Sequence, residues 1–200
     1  MNLPNTPREI ASTPLTATGV ETFEGAASFP LRHRLLRLSW NITWVIFASW
    51  TPPPMHRWRV WLVNIFGGRV DKTCAIYSSA RIWYPPNLRM DKFAALGPGV
   101  ECYSLGLIEI GAYAVVSQRA FLCTGTHDIQ RSNFQISARP IYLSENCWIA
   151  AEAFVGPGVR VGDGAVLAAR GAAFRNLDPW TVYQGNPAVP YKSRRQFSRN

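Results

Sequence analysis

Aliphatic residues recur at every sixth position in the second half of the chain. The run is Leu143, Ile149, Val155, Val161, Leu167 and Ala173. A period of six fits neither a helix, which repeats every 3.6 residues, nor a simple strand, which alternates every two. It fits short strands separated by tight corners, and stacked units of this kind form a parallel β-helix. The sequence therefore predicts a mainly β protein whose recurring aliphatic side chains point inward.

Similar six-residue repeats occur before Leu143 in two sets, and an irregular segment follows each set. They begin at Val70, Ile76, Ile82 and Leu88, and they resume at Ile110, Val116 and Leu122. Between these sets the register slips through residues 89–109, where Gly97-Pro98-Gly99 indicates a corner or a bulge. Three hexads close one coil, so the pieces predict roughly five coils. The second break, near 127–140, cannot fit the ladder and predicts a protruding loop.

The first third of the chain lacks the repeat. Residues 1–30 are rich in Thr, Pro, Ala and Gly and predict a flexible arm. Residues 31–69 hold two apolar stretches with interspersed Arg, separated by three prolines and closed by Gly67-Gly68, which predicts a helical segment. The β-helix domain is expected over 70–180 and a C-terminal tail over 181–200.

The longest apolar stretch, residues 38–56, contains polar residues and prolines. Its uninterrupted part is about half of the roughly 20 residues that a membrane span needs. We expect helices that pack on the β-helix or on a neighbouring subunit. A helix that lies on a membrane surface is the alternative.

Charge and cysteine content restrict the partners. Lys and Arg number 21 against 12 Asp and Glu, a net charge of +9. This excess favours an anionic partner, or it only forms a solvated arginine-rich surface. No recognised nucleic-acid module accompanies it, so nucleic acid is not expected.

The four cysteines show no metal-ligand spacing, which predicts reduced thiols and no metal site. With no signal-peptide pattern at the start, a cytoplasmic protein is expected, with peripheral attachment to the inner face of the membrane left open.

One histidine stands out. His127 is the only histidine among the repeats, and it lies where the loop leaves the stack. Histidine is the side chain most often used as a general base near neutral pH. The alternative is a histidine that only hydrogen-bonds the loop.

Four segments resemble the hexapeptide-repeat O-acetyltransferases, and most closely the colanic-acid-biosynthesis type of sugar acetyltransferase. The segments are residues 76–85, 121–128, 148–158 and 179–188. The resemblance implies a left-handed parallel β-helix. It also implies an acetyl group moved from acetyl-CoA to a hydroxyl of a sugar or polysaccharide precursor, by direct transfer in a ternary complex.

The resemblance also suggests roles for individual residues. His127 matches the family's catalytic histidine, with Asp128 as its orienting neighbour. Ala150 is the candidate for a backbone N–H that stabilises the developing oxyanion, and Ala150 and Ala168 match small positions along the pantetheine. Cationic candidates for the cofactor phosphates are Arg170, Arg175, Lys192 and Arg194.

The residues expected to contact the sugar acceptor depart from the family pattern. Ser104 stands where relatives carry Asn or Asp that holds the acceptor or orients the imidazole. Trp148 and Phe154 are expected to point outward as a substrate wall or an interface, since similar enzymes are homotrimers with the cofactor between subunits. The alternative function is a non-catalytic β-helix scaffold that binds a membrane or a partner through its basic helices.

Overall fold

Two helices precede the repeats. The computed structural model describes residues 28–130, 132 and 134–197. Nearly all of the predicted arm, residues 1–27, therefore lies outside the described residues. Helix α1 spans Leu31–Phe47 and helix α2 spans His56–Ile65, with a short 3-10 turn at Pro53–Met55 between them. The predicted helical segment is confirmed, with the prolines in the connection.

Three sheets of short parallel strands form the faces of a prism. The first face consists of β1 (Arg69–Val70), β4 (Leu88–Met90), β7 (Ile108–Ile110), β12 (Ile141–Leu143) and β15 (Arg160–Val161). The second face contains β2 (Ala75–Ile76), β5 (Ala95–Leu96), β8 (Val115–Val116), β13 (Trp148–Ile149) and β16 (Val166–Leu167). The third face contains β3 (Arg81–Ile82), β6 (Glu101–Tyr103), β9 (Phe121–Cys123), β14 (Phe154–Val155) and β17 (Ala172–Ala173). The predicted left-handed β-helix of about five coils is confirmed.

The core is a set of aliphatic ladders inside the prism. On the second face the inward side chains stack in the order Ile76, Leu96, Val116, Ile149 and Leu167, and all five are fully buried. Each inward position requires the same kind of residue as the position in the coil above it, namely an apolar side chain that fills the narrow interior. This common demand explains why the sequence repeats.

The irregular segment predicted for residues 89–109 has a simpler cause. The partner of Val70 in the next coil is Met90, not Leu88. The spacing of six holds from Met90 through Leu96 to Cys102, and only the corner between the third and first faces is longer, because it carries two extra residues in each of the first two coils. Residues 97–100 form an ordinary corner between β5 and β6, as predicted.

Side chains of the helices cap the open edge of the first coil. The backbone N–H groups of this coil donate to the second coil, which leaves carbonyls directed towards the helices. Trp40 Nε1 donates to the carbonyl of Ile82 at 2.7 Å, and the buried Arg59 donates through Nε to that of Ile76 at 2.5 Å. Trp44 Nε1 likewise donates to the carbonyl of Ser78 at 3.1 Å, and the side-chain amide of Asn64 donates to the carbonyl of Val70 at 2.9 Å. An exposed strand edge is a liability, and the helical segment removes it.

The other end of the prism is closed by backbone. Strand β18 (Thr181–Gln184) continues the second face beyond β16, and β19 (Val189–Ser193) returns antiparallel to it. The Asn186–Pro187 peptide in the connecting turn is cis. Through residue 193, the predicted tail is thus an extension of the second face.

Candidate active site

The predicted loop is a β-hairpin that leaves the corner between the third and first faces, here called the loop edge. Its strands are β10 (Gly125–His127) and β11 (Ile136–Ala138), which pair antiparallel. At its root, a Cβ on Gly125 would lie 2.6 Å from Cε1 of Tyr103, so only glycine fits against this ring. The close contact fixes the angle at which the hairpin departs.

His127 is exposed near the end of β10, and its imidazole is held from one side. Nδ1 lies 2.8 Å from the carbonyl oxygen of Phe134, and the two rings stack with centroids 4.3 Å apart. A carbonyl can only accept, so Nδ1 carries the hydrogen in this bond. In the neutral ring the lone pair is then on Nε2, which has no hydrogen-bond partner among the described residues. This is the tautomer that a general base requires.

Asp128 contributes to the hairpin turn. Its N–H donates to the carbonyl of Gln135, and its Oδ1 accepts the N–H of Gln130 at 3.1 Å. The contact to Nδ1 of His127 comes from the Phe134 carbonyl, where the sequence had pointed to Asp128. Nothing in the sequence indicated Phe134, because a backbone carbonyl in an insertion without a period leaves no signal.

A thiol beside the hairpin is not activated. Cys123 Sγ donates to the carbonyl of Gly125 at 3.3 Å, and burial raises the pKa of this thiol. Burial likewise raises the pKa of the neighbouring Tyr103 hydroxyl. Both groups therefore stay protonated near neutral pH, while a reactive cysteine needs a lowered pKa.

Ser104 lies in the interior of the prism. The residue is fully buried, and its hydroxyl accepts the N–H of Tyr84 and donates to the Tyr84 carbonyl, both at 3.0 Å. These two bonds join neighbouring coils at the loop edge. The hydroxyl that was expected to hold an acceptor is thus engaged with backbone and closed to solvent.

The backbone N–H of Ala150, the candidate for stabilising the oxyanion, is already engaged within the ladder. This N–H donates to the carbonyl of Leu167 at 2.9 Å, and the N–H of Ala168 donates to Tyr183 at 2.8 Å. Neither N–H is free for a developing charge unless the ladder opens. A contact between these small residues and a pantetheine chain stays a prediction.

The cationic candidates lie on different edges of the prism. Arg170 pairs with Glu152, which also pairs with Arg119, at the corner between the second and third faces. Arg194 donates to the carbonyls of Asn146 and Gly164 at the corner between the first and second faces. Arg175 is exposed after β17, at the loop edge, and Lys192 is exposed on β19. One phosphate group cannot contact all four within one protomer.

The two outward aromatic residues also separate. Trp148 is exposed on the second face, where its Nε1 donates to Ser117 Oγ at 2.8 Å. Phe154 lies on the third face, in a row of aromatic rings that the sequence analysis missed. This row runs through Trp83, Tyr103, Phe121, Phe154 and Phe174. Both residues point outward, as predicted, but they do not form one cluster.

The predicted site residues consequently do not meet within one chain. In a three-sided prism, the loop edge with His127 is opposite the second face, which carries Trp148. Ala150 and Ala168 follow strands of that second face. A site that contains all these residues requires the second face of another protomer.

Sequence comparison identifies the family. A protein of Escherichia coli K12 assigned as the colanic acid biosynthesis acetyltransferase WcaF is 43% identical over 159 residues, which cover 80% of this chain and 87% of that protein. The chain belongs to the hexapeptide-repeat acetyltransferases. It is therefore an acyltransferase, and the scaffold alternative is not favoured. No family model matches the chain.

Solved structures share the fold. The hexapeptide-repeat acetyltransferase VCA0836 of Vibrio cholerae, complexed with acetyl-CoA, aligns with a TM-score of 0.73 at 18% identity over 85% of this chain and 93% of that one. A maltose O-acetyltransferase of Clostridium difficile aligns with a TM-score of 0.72 at 20% identity over 84% and 90%. At these identities the alignments support the fold.

The described residues contain no group of three His, Cys, Asp or Glu side chains placed to hold a metal ion. Over the same residues, neither helix has both the length and the apolar character needed to cross a bilayer.

Proposed function

We propose that the chain transfers the acetyl group of acetyl-CoA to a hydroxyl of a sugar or polysaccharide precursor, with His127 as the general base. The observation that carries the proposal is the bond between Nδ1 of His127 and the Phe134 carbonyl, which leaves Nε2 as the basic nitrogen on an exposed hairpin. Family membership supports the acetyl transfer. The structures of relatives bound to acetyl-CoA or coenzyme A support the donor.

The reaction is a direct transfer between two bound substrates. Nε2 of His127 takes the proton of the acceptor hydroxyl while the oxygen attacks the thioester carbonyl. The tetrahedral intermediate then collapses, the carbon–sulfur bond breaks, and the coenzyme A thiolate takes the proton back from Nε2. An alcohol is a poor nucleophile at neutral pH unless its proton leaves as the new bond forms, which is why the base is needed.

A trimer would complete the site. The outward residues of the second face are apolar in its first four strands, namely Ala75, Ala95, Val115 and Trp148. The corresponding positions on the first face are Arg69, Arg89, Glu109 and Tyr142. The second face is thus the one suited to burial. Packed against the loop edge of a neighbour, it would bring Trp148 and Ala168 towards the neighbour's hairpin. Repeating this contact around a threefold axis closes a ring.

Four cations are candidates for the phosphates of the donor. Arg175 is at the loop edge of one protomer, and Lys192 is on the second face that would come from the other. Arg170 would first have to share or release Glu152, to which its Nε donates at 2.6 Å. Arg194 already binds two carbonyls and would add mainly charge. Arg175 and Lys192 are therefore the stronger candidates.

The test is turnover of a His127→Ala variant, measured as release of coenzyme A thiol with a panel of sugar acceptors. We expect turnover to fall about a hundredfold or more, the usual contribution of a general base, with unchanged unfolding and coenzyme A binding. Gln130→Ala, in the same hairpin, is the control and should retain turnover. Near-normal turnover of His127→Ala would remove this residue from the mechanism. Failure of the wild-type chain to bind coenzyme A would overturn the function.

A further inference from the structure

Helix α1 has a second apolar face that no other part of the described chain, residues 28–130, 132 and 134–197, covers. Its inner face packs on the first coil through Trp40 and Trp44. Opposite that face, apolar residues follow the helix at spacings of four and three. This outer stripe consists of Leu31, Leu35, Leu38, Ile42, Val45 and Ile46, each between 51% and 66% exposed.

The outer stripe continues beyond the end of the helix. Trp50 is 71% exposed, and its Nε1 donates to the carbonyl of Ile46. On the other side, Trp58 donates to the carbonyl of Phe47 and stacks on the exposed Trp61. At 1.5 Å per residue, the helix alone is roughly 25 Å long. An apolar surface of this extent differs from isolated exposed side chains and indicates a binding surface.

The charge around the outer stripe has one sign. Residues 28–70 contain six arginines and neither Asp nor Glu. Arg32 and Arg34 are exposed and, by helical geometry, flank the stripe on its two sides. Each cation held near an anionic lipid surface strengthens binding to it, and tryptophan favours the boundary between lipid and water. An apolar stripe bordered by arginine is the pattern of a helix that lies in a membrane interface.

We propose that the outer stripe of α1, with Trp50 and Trp61, docks the protein on an anionic phospholipid surface. The other candidate occupant is α1 of a second copy, since spacings of four and three also describe a coiled-coil seam. Such a seam is normally bordered by charges of opposite sign on the two helices. Here the bordering charges are arginines, with no acidic residue in the segment to pair with them. The surface is therefore complementary to phosphate headgroups and not to itself.

The test uses the full chain and vesicles of stated composition. Sedimentation with phosphatidylcholine vesicles that contain about 30% phosphatidylglycerol should carry the wild-type protein down, and pure phosphatidylcholine should carry at least tenfold less. The Leu38→Glu/Ile42→Glu double variant should lose at least tenfold in binding without a change in unfolding. Val189→Glu, which alters an equally exposed apolar residue on β19 at the other end of the prism, is the matched control and should bind like wild type.

Three outcomes would overturn the proposal. One is no binding to the anionic vesicles by the folded wild-type chain. Another is equal loss in Val189→Glu, which would mean that the stripe is not the site. The third is a combination of two results: the wild-type chain does not bind the vesicles, and Leu38→Glu/Ile42→Glu forms a smaller oligomer than wild type by size-exclusion chromatography with light scattering. That combination would show that a second copy covers the stripe. Acetyl transfer is not a readout, so this result is independent of the proposed function.

Discussion

The first coil and the hairpin that carries His127 differ in how far their polar groups are hydrogen-bonded. In the first coil, carbonyls that a neighbouring strand would normally bind are matched by Trp40, Trp44, Arg59 and Asn64 of the helices. In the hairpin, the one bond to the imidazole of His127 fixes the ring and leaves the other nitrogen open. Complete pairing gives a rigid base for the prism, whereas incomplete pairing leaves a nitrogen available for chemistry. Changes in the first coil should therefore affect stability, and changes in the hairpin should affect turnover.

Arg59 provides the strongest test of the rigid region. It is fully buried and has no acidic partner among the described residues, and besides Ile76 it binds Thr51 and the carbonyls of Pro52 and Pro53. Arg59→Met would leave these acceptors without their donor, those of Ile76 and Thr51 being buried, and we expect a loss of about 3 kcal/mol in the free energy of unfolding, measured in urea. Arg57→Met, at an exposed position of the same helix, should change it by less than about 0.5 kcal/mol. A loss below about 1 kcal/mol in Arg59→Met would mean that the edge needs no cap.

His33 tests the same region through pH. It is buried among Phe29, Trp83 and Tyr84, and neither ring nitrogen has a hydrogen-bond partner among the described residues. Burial, with the nearby positive charge of Arg37, lowers the pKa of His33 from 6.5 to about 4. The lowered value means that protonation favours the unfolded chain. The contribution of neutral His33 to the free energy of unfolding is fully present above pH 6.5. It decreases by about 2 kcal/mol as the pH drops towards 4.

The control for this pH effect is His33→Phe, which keeps an aromatic ring and removes the titration. Carboxylates also titrate below pH 5, so the quantity to compare is the difference between wild type and variant, from urea unfolding at pH 7.5, 6, 5 and 4. The two curves should diverge as the pH falls. Parallel curves would show that the imidazole is solvated and that this part of the first coil is not closed.

Gly125 is the point at which the hairpin leaves the prism, against the ring of Tyr103 in the second coil. Gly125→Ala would force the hairpin away from the ring. We expect turnover to fall about tenfold, since a displacement near 1 Å at a reacting group has effects of this order or larger, with little change in unfolding. Tyr103→Leu/Gly125→Ala, which frees the space, should recover most of the turnover. A single variant as active as wild type would show that the departure angle of the hairpin does not position His127.

The sequence allowed the ladder to be predicted because the same physical demand returns in each coil. It allowed the loop to be predicted because fourteen residues without the period cannot lie inside the prism. The two-residue shift at Leu88 and Met90 escaped prediction, since both residues are apolar and either could occupy the ladder. The caps escaped because Trp40 and Ile82 are 42 residues apart and share no local pattern. The Phe134 carbonyl escaped because every residue carries one.

Ser104 gives the smallest expected effect and the sharpest distinction between the two regions. If its hydroxyl only joins coils, Ser104→Ala leaves the N–H and the carbonyl of Tyr84 without their partner. The free energy of unfolding should then fall by about 1 kcal/mol, with KM for the acceptor unchanged. If the hydroxyl instead holds the acceptor, as its position relative to related sequences implied, KM should rise while stability stays the same. A buried hydroxyl already engaged in two hydrogen bonds cannot also bind a substrate without breaking those bonds, so we expect the first result. Steady-state kinetics and urea unfolding of the Ser104→Ala variant together distinguish the two outcomes.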